Sequence, residues 1–229
     1  LLTTLAFGVR PRFADIPTEG IRHVDAVDIT FARELGYTIK LLAIAKDGEG
    51  GIEARVHPTM IPNGHLLADV GGNFNALFVR GAALGPTMYY GQGAGAAPTA
   101  TAVVADLIAA ARDRAVGSAV RVPPWGVPQA ALRRARVRPL ADLEGEYYLR
   151  FMAPDRPGIL ARIAGVLGRF EISIAAVIQR DRRAGTTVPV VIRTHQARER
   201  NLTKALAAIG RLAAVRGKPV CIRIEEQLT

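Results

Sequence analysis

The C-terminal part of the chain alternates between two hydrophobic periods in an order that few folds accommodate. Apolar residues from Ile159 to Phe170 recur at helical spacing, whereas 172–178 carries apolar side chains at every second position, as a strand does. Gly185 marks a turn before the next strand. The predicted elements are, in order, strand 147–152, helix 158–170, strand 172–178, strand 188–194, helix 202–212 and strand 220–225. This order predicts a split β-α-β layer of ferredoxin-like type.

The first part of the chain predicts a second layer built from short strands. Asp25, or Asp28 a turn later, is expected to cap a helix that runs to about Leu35, with Gly36 after its last turn. The strands are predicted at 37–46, 52–57, 73–79 and 86–90, with a hairpin turn at 46–51 and interruptions at Pro58 and Pro62. The chain is therefore predicted as an α+β protein: a mixed or antiparallel sheet with helices on one face, followed by a ferredoxin-like βαββαβ domain.

A glycine-rich turn separates the last of these strands from a long helix. Gly91, Gly93 and Gly95 allow backbone angles that a Cβ atom would block, and Pro98 and Thr99 suit the first turn of the helix. Such a turn exposes unpaired N–H groups at a helix N-terminus, which suits an anion such as a phosphate. It equally fits a tight strand-to-helix connection packed on small residues. The spacing is neither the dinucleotide-binding G-x-G-x-x-G pattern nor a P-loop.

The chain carries a formal net charge of +10, which favours anionic partners in general. Its densest basic run is 133–138, and the aromatic residue near that run is Trp125. A nucleic-acid surface interleaves aromatic side chains with its arginines, so the run is interpreted as part of a solvated linker and no nucleic-acid partner is expected. Prolines at 123, 124, 128 and 139 support a linker over 115–145, between predicted domains 1–114 and 146–229.

Signals for export or membrane insertion are missing from the sequence. No apolar run has membrane-spanning length, and residues 1–7 lack the basic lead of a signal peptide. The single cysteine, Cys221, is predicted to be a buried strand thiol in a reducing cytoplasm. Because the chain opens on an apolar segment without Met, we expect a truncated or processed product.

One stretch of the ferredoxin-like part suits a small ligand. Asp155, Arg156, Pro157 and Gly158 open a predicted helix, where free N–H groups and the positive end of the helix dipole suit a carboxylate. Asp155 either caps its own helix or meets an ammonium group, and a small amino acid carries both groups. His195 is interpreted as an exposed loop residue, and no spacing of His, Cys, Asp and Glu resembles a metal site.

The first part shows no nucleophile beside a general base, and no catalytic residue is assigned. Lys46 is interpreted as a surface lysine, with direct contact to a substrate as the alternative. His57 and His65 lie beside proline turns and are interpreted as structural. Asn73 and Asn75 could reach a ligand from the end of a sheet.

Short segments through the first part of the chain resemble homoserine dehydrogenases. These segments are residues 5–8, 19–21, 34–42, 56–58, 73–76, 90–95 and 98–107. The last domain resembles the ACT domain found at the C-terminus of many bacterial members, including its turn at 155–158. The resemblance covers essentially the whole chain in the order of the family.

The resemblance implies an enzyme that interconverts aspartate semialdehyde and homoserine with NAD or NADP, in threonine and methionine biosynthesis. It implies that 1–114 forms a substrate-binding and dimerisation domain and that Gly93 and Gly95 close over the cofactor. It also implies an ACT domain that pairs with its twin in a homodimer or homotetramer and binds threonine through the residues Asp155, Arg156, Pro157 and Gly158.

The family's Rossmann domain, its proton-transferring lysine and its acidic homoserine-binding residues precede the position of Leu1. The chain by itself is therefore expected to lack dehydrogenase activity. The alternative is a stand-alone amino-acid sensor, in which the ACT domain performs the function and the first domain only mediates oligomerisation.

Overall fold

The structure, a computed structural model, describes residues 1–48, 50–118, 125–179 and 186–226. The helices are α1 (Leu2–Phe7), α2 (Ala26–Glu34), α3 (Ala96–Ala115), α4 (Ile159–Arg169) and α5 (Glu199–Ile209). The strands are β1 (Val9–Arg10), β2 (Tyr37–Gly48), β3 (Gly51–Pro62), β4 (Phe74–Gly81), β5 (Gly85–Gln92), β6 (Arg133–Arg134), β7 (Glu144–Pro154), β8 (Ile174–Gln179), β9 (Thr187–Thr194), β10 (Ala197–Arg198) and β11 (Arg216–Ile224). The predicted turn at Gly185 and the prolines at 123 and 124 lie outside the described residues.

The chain divides into two compact units that do not follow the chain order. The first, the glycine-turn unit, contains Leu1–Pro11 and Gly64–Ala135. The second, the sheet unit, contains Arg12–Asn63 and the described residues from Arg136 onward. The ferredoxin-like part therefore shares a unit with α2, β2 and β3. The domain limits expected from the sequence, 1–114, 115–145 and 146–229, stay a prediction.

The sheet unit is built on one mixed sheet with the strand order β2-β3-β11-β7-β9-β8, and β10 adds to β7. Strands β11-β7-β9-β8 with α4 and α5 form the predicted ferredoxin-like layer, which is confirmed. The hairpin β2–β3 continues this layer, because β3 pairs in parallel with β11 at Thr59 and Met60.

Helices cover both faces of this sheet. Successive side chains of β7 point to opposite faces. Leu149 and Phe151 belong to the core formed with α4 and α5, whereas Tyr148 packs with Phe31 and Ala32 of α2. Since β7 is buried on both sides, its sequence is nearly continuously apolar instead of alternating.

The four strands predicted in the first part form two separate hairpins. Strand β2 pairs with β3 in the sheet unit, and β4 pairs with β5 in the glycine-turn unit. The interruption predicted at Pro58 is wrong, because β3 continues to Pro62 with Pro58 opposite Leu41 of β2. Proline is tolerated there because β11 pairs with β3 only at Thr59 and Met60.

Helix α2 forms as its capping residues predict. Asp25 is its N-cap residue and Asp28 completes a capping box, while Gly36 takes a left-handed φ of 87° after the last turn. Helix α3 forms where the sequence predicts it. Its apolar positions Val103 and Leu107 are exposed within the chain instead of packed in a core.

Candidate functional site

A cleft opens where β7 ends and the chain enters α4. It has a volume of about 380 Å³, within the range of small-molecule sites. The four residues proposed from the sequence as a ligand-binding turn all line it. The lining residues are Pro154, Asp155, Arg156, Pro157, Gly158, Ile159, Leu160, Gln179 and Val190.

The N-terminus of α4 lies at this cleft without a side-chain cap. Gly158 is the N-cap residue, with a left-handed φ of 85°, and no side chain bonds to the first turn. Of the two roles left open for Asp155, capping of α4 is therefore excluded, and Pro157 directly precedes the N-cap residue. The reason is that glycine at 158 adopts the left-handed conformation and starts the helix later. The first turn of α4 carries the positive end of the helix dipole, and its Ile159 N–H donates to the Arg156 carbonyl at 3.4 Å.

The carboxylate of Asp155 is only half satisfied. Its Oδ1 accepts a hydrogen bond of 3.3 Å from Gln179 Nε2, whereas its Oδ2 is buried and has no partner among the described residues. A buried carboxylate oxygen without a donor is costly, and an ammonium group would supply one. The cleft thus offers a negative oxygen and a helix N-terminus to the two ends of a small amino acid. Sequence reasoning missed Gln179; the available signal was a polar residue at the end of an apolar strand.

The glycine-rich turn leads into α3 without a side-chain cap. Gly95 is the N-cap residue, with a φ of 129°, and Pro98 lies in the first helical turn as predicted. Thr99 also lies in this first turn, where its N–H donates to the Gly95 carbonyl at 3.1 Å, and its side chain does not cap the helix. The uncapped first turn suits an anion.

Two asparagines fasten this turn. The Gly93 N–H donates to the Asn73 carbonyl at 3.0 Å, and Asn73 Nδ2 donates to the Ala94 carbonyl at 3.4 Å. A Cβ atom on Gly93 would lie 1.6 Å from Asn75 Nδ2, so the close approach of Asn75 requires glycine here. Packing against Asn75 therefore accounts for Gly93, and Asn73 holds the turn by hydrogen bonds.

Ion pairs join β2, β3, the C-terminal end of β11 and α5 around a cavity of about 190 Å³. Lys46 and Arg55 both pair with Glu225, at 2.6 and 2.7 Å. Arg223 donates from Nε to a Glu199 carboxylate oxygen at 3.0 Å. Lys46 is thus an ion-pair partner within the sheet unit. Because these basic groups are already paired, the cavity offers none of the three to an anionic ligand.

His57 is structural, as the sequence indicated. It is 2% exposed, its Nε2 accepts a hydrogen bond of 2.8 Å from Arg55 Nε, and its Nδ1 lies 2.9 Å from the Pro58 carbonyl. Burial, assisted by the positive charge of Arg223, lowers the pKa of His57 to about 3. The imidazole is therefore neutral at physiological pH.

The other singled-out side chains show no catalytic arrangement. His65 caps a short 3-10 turn by accepting the Leu67 N–H at 3.1 Å, and His195 is exposed as predicted. Burial raises the pKa of Cys221 to about 12, so its thiol stays protonated. Within the described ranges, no group of three or more His, Cys, Asp or Glu side chains could hold a metal ion. Nor does the described part contain a helix long and apolar enough to span a membrane.

Comparison with known proteins finds a matching family for the first part of the chain and another for the last part. The profile of the homoserine dehydrogenase family matches residues 1–108, and that of the ACT domain matches residues 147–211. The homoserine dehydrogenase of Neisseria gonorrhoeae is 43% identical over 225 residues, which are 98% of this chain and 52% of that protein. The chain is therefore similar to homoserine dehydrogenases along nearly its whole length. The member from Pseudomonas aeruginosa is 40% identical over 227 residues, which are 99% of this chain and 52% of that protein.

A solved structure of the family shows the same fold. The crystal structure of a homoserine dehydrogenase from Thiobacillus denitrificans has a TM-score of 0.88 and 43% identity, covering 100% of this chain and 51% of that one. The chain spans about half the length of the curated relatives it matches and corresponds to the C-terminal region of the family. The mixed α+β fold with an ACT domain, expected from the sequence, is confirmed.

Proposed function

We propose that this chain forms the C-terminal half of an NAD(P)-dependent homoserine dehydrogenase, which reduces aspartate semialdehyde to homoserine. The observation that carries the proposal is the 43% identity to the Neisseria gonorrhoeae homoserine dehydrogenase over 98% of this chain. When bound, a reduced nicotinamide cofactor would supply the hydride for the carbonyl carbon, and a proton donor would supply the proton for the alcohol oxygen. In this proposal the catalytic groups lie in the half of the enzyme outside this chain.

The glycine-rich turn is the proposed contribution to the cofactor site. The residues fit an anionic cofactor, since α3 starts at Gly95 with an uncapped first turn. Gly93 and Gly95 would let the backbone approach the cofactor, which is NAD or NADP. The proposed substrate-binding and dimerisation domain is 1–114, joined by a linker over 115–145 to an ACT domain over 146–229.

The cleft at Asp155, Arg156, Pro157 and Gly158 is the proposed regulatory site, with threonine as its ligand. The unpartnered Asp155 Oδ2 would accept the ammonium group, and the α4 N-terminus would receive the carboxylate. The proposed assembly is a cytoplasmic homodimer or homotetramer. No nucleic-acid partner is proposed, because the basic run at 133–138 has no aromatic side chains interleaved with its arginines.

A chimera tests the enzymatic proposal. We expect the 229-residue chain alone to show no NADPH oxidation with aspartate semialdehyde, because the proton donor and most of the cofactor site are supplied elsewhere. Replacing the corresponding half of the Neisseria gonorrhoeae enzyme with this chain should give an active enzyme, measured by NADPH absorbance. Activity of the chain alone, or a folded but inactive chimera, would contradict the proposal.

Removing the charge of Asp155 is expected to weaken threonine binding. The variant Asp155→Asn should raise the dissociation constant roughly 10- to 150-fold, because a charged hydrogen bond contributes about 1.5–3 kcal/mol. Isothermal titration calorimetry measures it on the 229-residue chain. Asp47→Asn changes an exposed carboxylate of β2 in the same way and should bind as the wild type does. Equal affinity for all three proteins would remove Asp155 from the site.

The same cleft would serve a stand-alone amino-acid sensor, because all of its lining residues lie in the sheet unit. A sensor would bind threonine equally well but would give an inactive chimera. The two experiments together therefore separate the two functions.

A further inference from the structure

An arginine of β7 holds the N-terminus of α2 on the face of the sheet opposite α4 and α5. The capping box of α2 consists of Asp25 and Asp28, and the Asp25 N–H donates to Asp28 Oδ2 at 2.9 Å. Arg150 donates from Nε to Asp28 Oδ1 at 2.6 Å and from Nη2 to Asp25 Oδ2 at 2.6 Å. One guanidinium therefore bridges both carboxylates of the box.

The contact between Arg150 and Asp28 is buried, and both carboxylate oxygens of Asp28 accept hydrogen bonds from Arg150. Asp28 is 0% exposed and Arg150 is 7% exposed. The Asp28 carboxylate also accepts a hydrogen bond of 2.8 Å from the Tyr148 hydroxyl, and Tyr148 lies two residues from Arg150 on the same strand. A buried network of this kind fixes one arrangement of its members, because any shift leaves a charge without a partner. Helix α2 is thus held on β7 by a hydrogen-bonded ion pair as well as by apolar packing.

Strand β7 also leads directly into the candidate ligand cleft. Arg150 precedes Asp155 by five residues, which is about 16 Å along an extended strand. β7 lies in the interior of the sheet, paired with β11 on one side and β9 on the other. A ligand that orders the turn after Pro154 restrains the end of the strand that carries Arg150.

We propose that Arg150 couples the ligand cleft to α2, so that occupation of the cleft stabilises the helix at the far face of the sheet. Arg150 acts here as a positioning residue that does not touch the ligand. The inference rests on the proposed binding of threonine at Asp155. It adds a direction for the regulatory signal: from the turn, along β7, to α2 and the β2–β3 hairpin that follows it.

Hydrogen exchange measured by mass spectrometry on the 229-residue chain, with and without L-threonine, tests the coupling. In the wild type, threonine should slow exchange at the turn 155–160 and in α2. In Arg150→Met, exchange in α2 should rise roughly tenfold or more without ligand and should no longer respond to threonine, while the turn remains protected. Arg169→Met, which changes an exposed arginine of α4, should behave as the wild type.

The outcomes separate this inference from the proposed function. Protection of the turn without any response in α2 would overturn the coupling alone. No protection at the turn in the wild type would overturn threonine binding and the coupling with it. An unchanged α2 response in Arg150→Met would show that the signal does not pass through Arg150.

A milder variant covers the case in which Arg150→Met does not fold. Asp25→Asn removes one of the two bridged carboxylates, and the side chain of Asp25 is 63% exposed. It leaves the contact between Arg150 and Asp28 in place. We expect a weakened α2 response with an intact response at the turn, and a full α2 response would contradict the bridge.

Discussion

Replacing Arg150 with methionine is expected to lower the free energy of unfolding by about 3–5 kcal/mol, because it leaves a buried carboxylate without its cation. Methionine retains much of the apolar stem of arginine, so the loss of charge outweighs the loss of packing. Asp28 would keep the hydrogen bonds from Tyr148 and from the Asp25 backbone, which do not neutralise it. Urea denaturation followed by circular dichroism measures the change.

A double-mutant cycle shows whether the loss comes from the pair. The variant Asp28→Asn removes the opposite charge, and its combination with Arg150→Met should be more stable than the sum of the single effects predicts. Arg169→Met should stay within about 0.5 kcal/mol of the wild type, since the arginine is exposed. Additive single effects, or a cost below about 1 kcal/mol for Arg150→Met, would show that the pair does not hold α2.

The elements that the sequence predicted well are those whose signals are local. The helical stripe from Ile159 and the alternation at 172–178 depend on neighbouring residues, so the ferredoxin-like order could be derived from periodicity. The limits of α2 follow from Asp25 and Gly36 for the same reason, because capping is satisfied within one turn.

The long-range pairings had no such signal. The parallel contact between β3 and β11 joins Thr59 to Arg223, which lie far apart in the chain. No local pattern indicates which sheet edge a hairpin extends, so β2–β3 was expected beside β4–β5. The same holds for Arg150, whose partners Asp25 and Asp28 precede it by more than a hundred residues. An arginine inside an apolar strand was the available sign that a buried carboxylate would meet it.

The residues of the candidate site also fall into those that the sequence could predict and those that required the fold. A turn before a helix with proline and glycine can be found from sequence, so Asp155 and Gly158 were proposed as ligand-binding residues. The role of Asp155 depended on where the helix begins, which the left-handed Gly158 decides. Gln179 comes from another strand, and its contact with Asp155 exists only once β8 is placed. The sequence singled out Gly93. The reason that glycine is required there is the close approach of Asn75 of β4, a packing contact that the sequence does not reveal.

Acidification is expected to destabilise the protein less when His57 is replaced by glutamine. The folded pKa of His57 is about 3, well below the ordinary value of 6.5. Between these two values the unfolded chain binds a proton that the folded chain does not bind, so His57 lowers the free energy of unfolding as pH falls from 6.5 toward 3. At pH 5 its contribution amounts to a loss of about 2 kcal/mol.

His57→Gln removes this loss while preserving an acceptor for Arg55, whose Nε bonds to the imidazole at 2.8 Å. The variant's free energy of unfolding should therefore drop less than the wild-type value between pH 7 and pH 5, by about 2 kcal/mol in urea titrations at the two pH values. Carboxylates titrate alike in both proteins and cancel in the comparison. His195→Gln, at an exposed position, should show the wild-type drop. If His57→Gln shows the same drop, the imidazole is protonated in the folded protein, which is incompatible with its Nε2 accepting the hydrogen bond from Arg55.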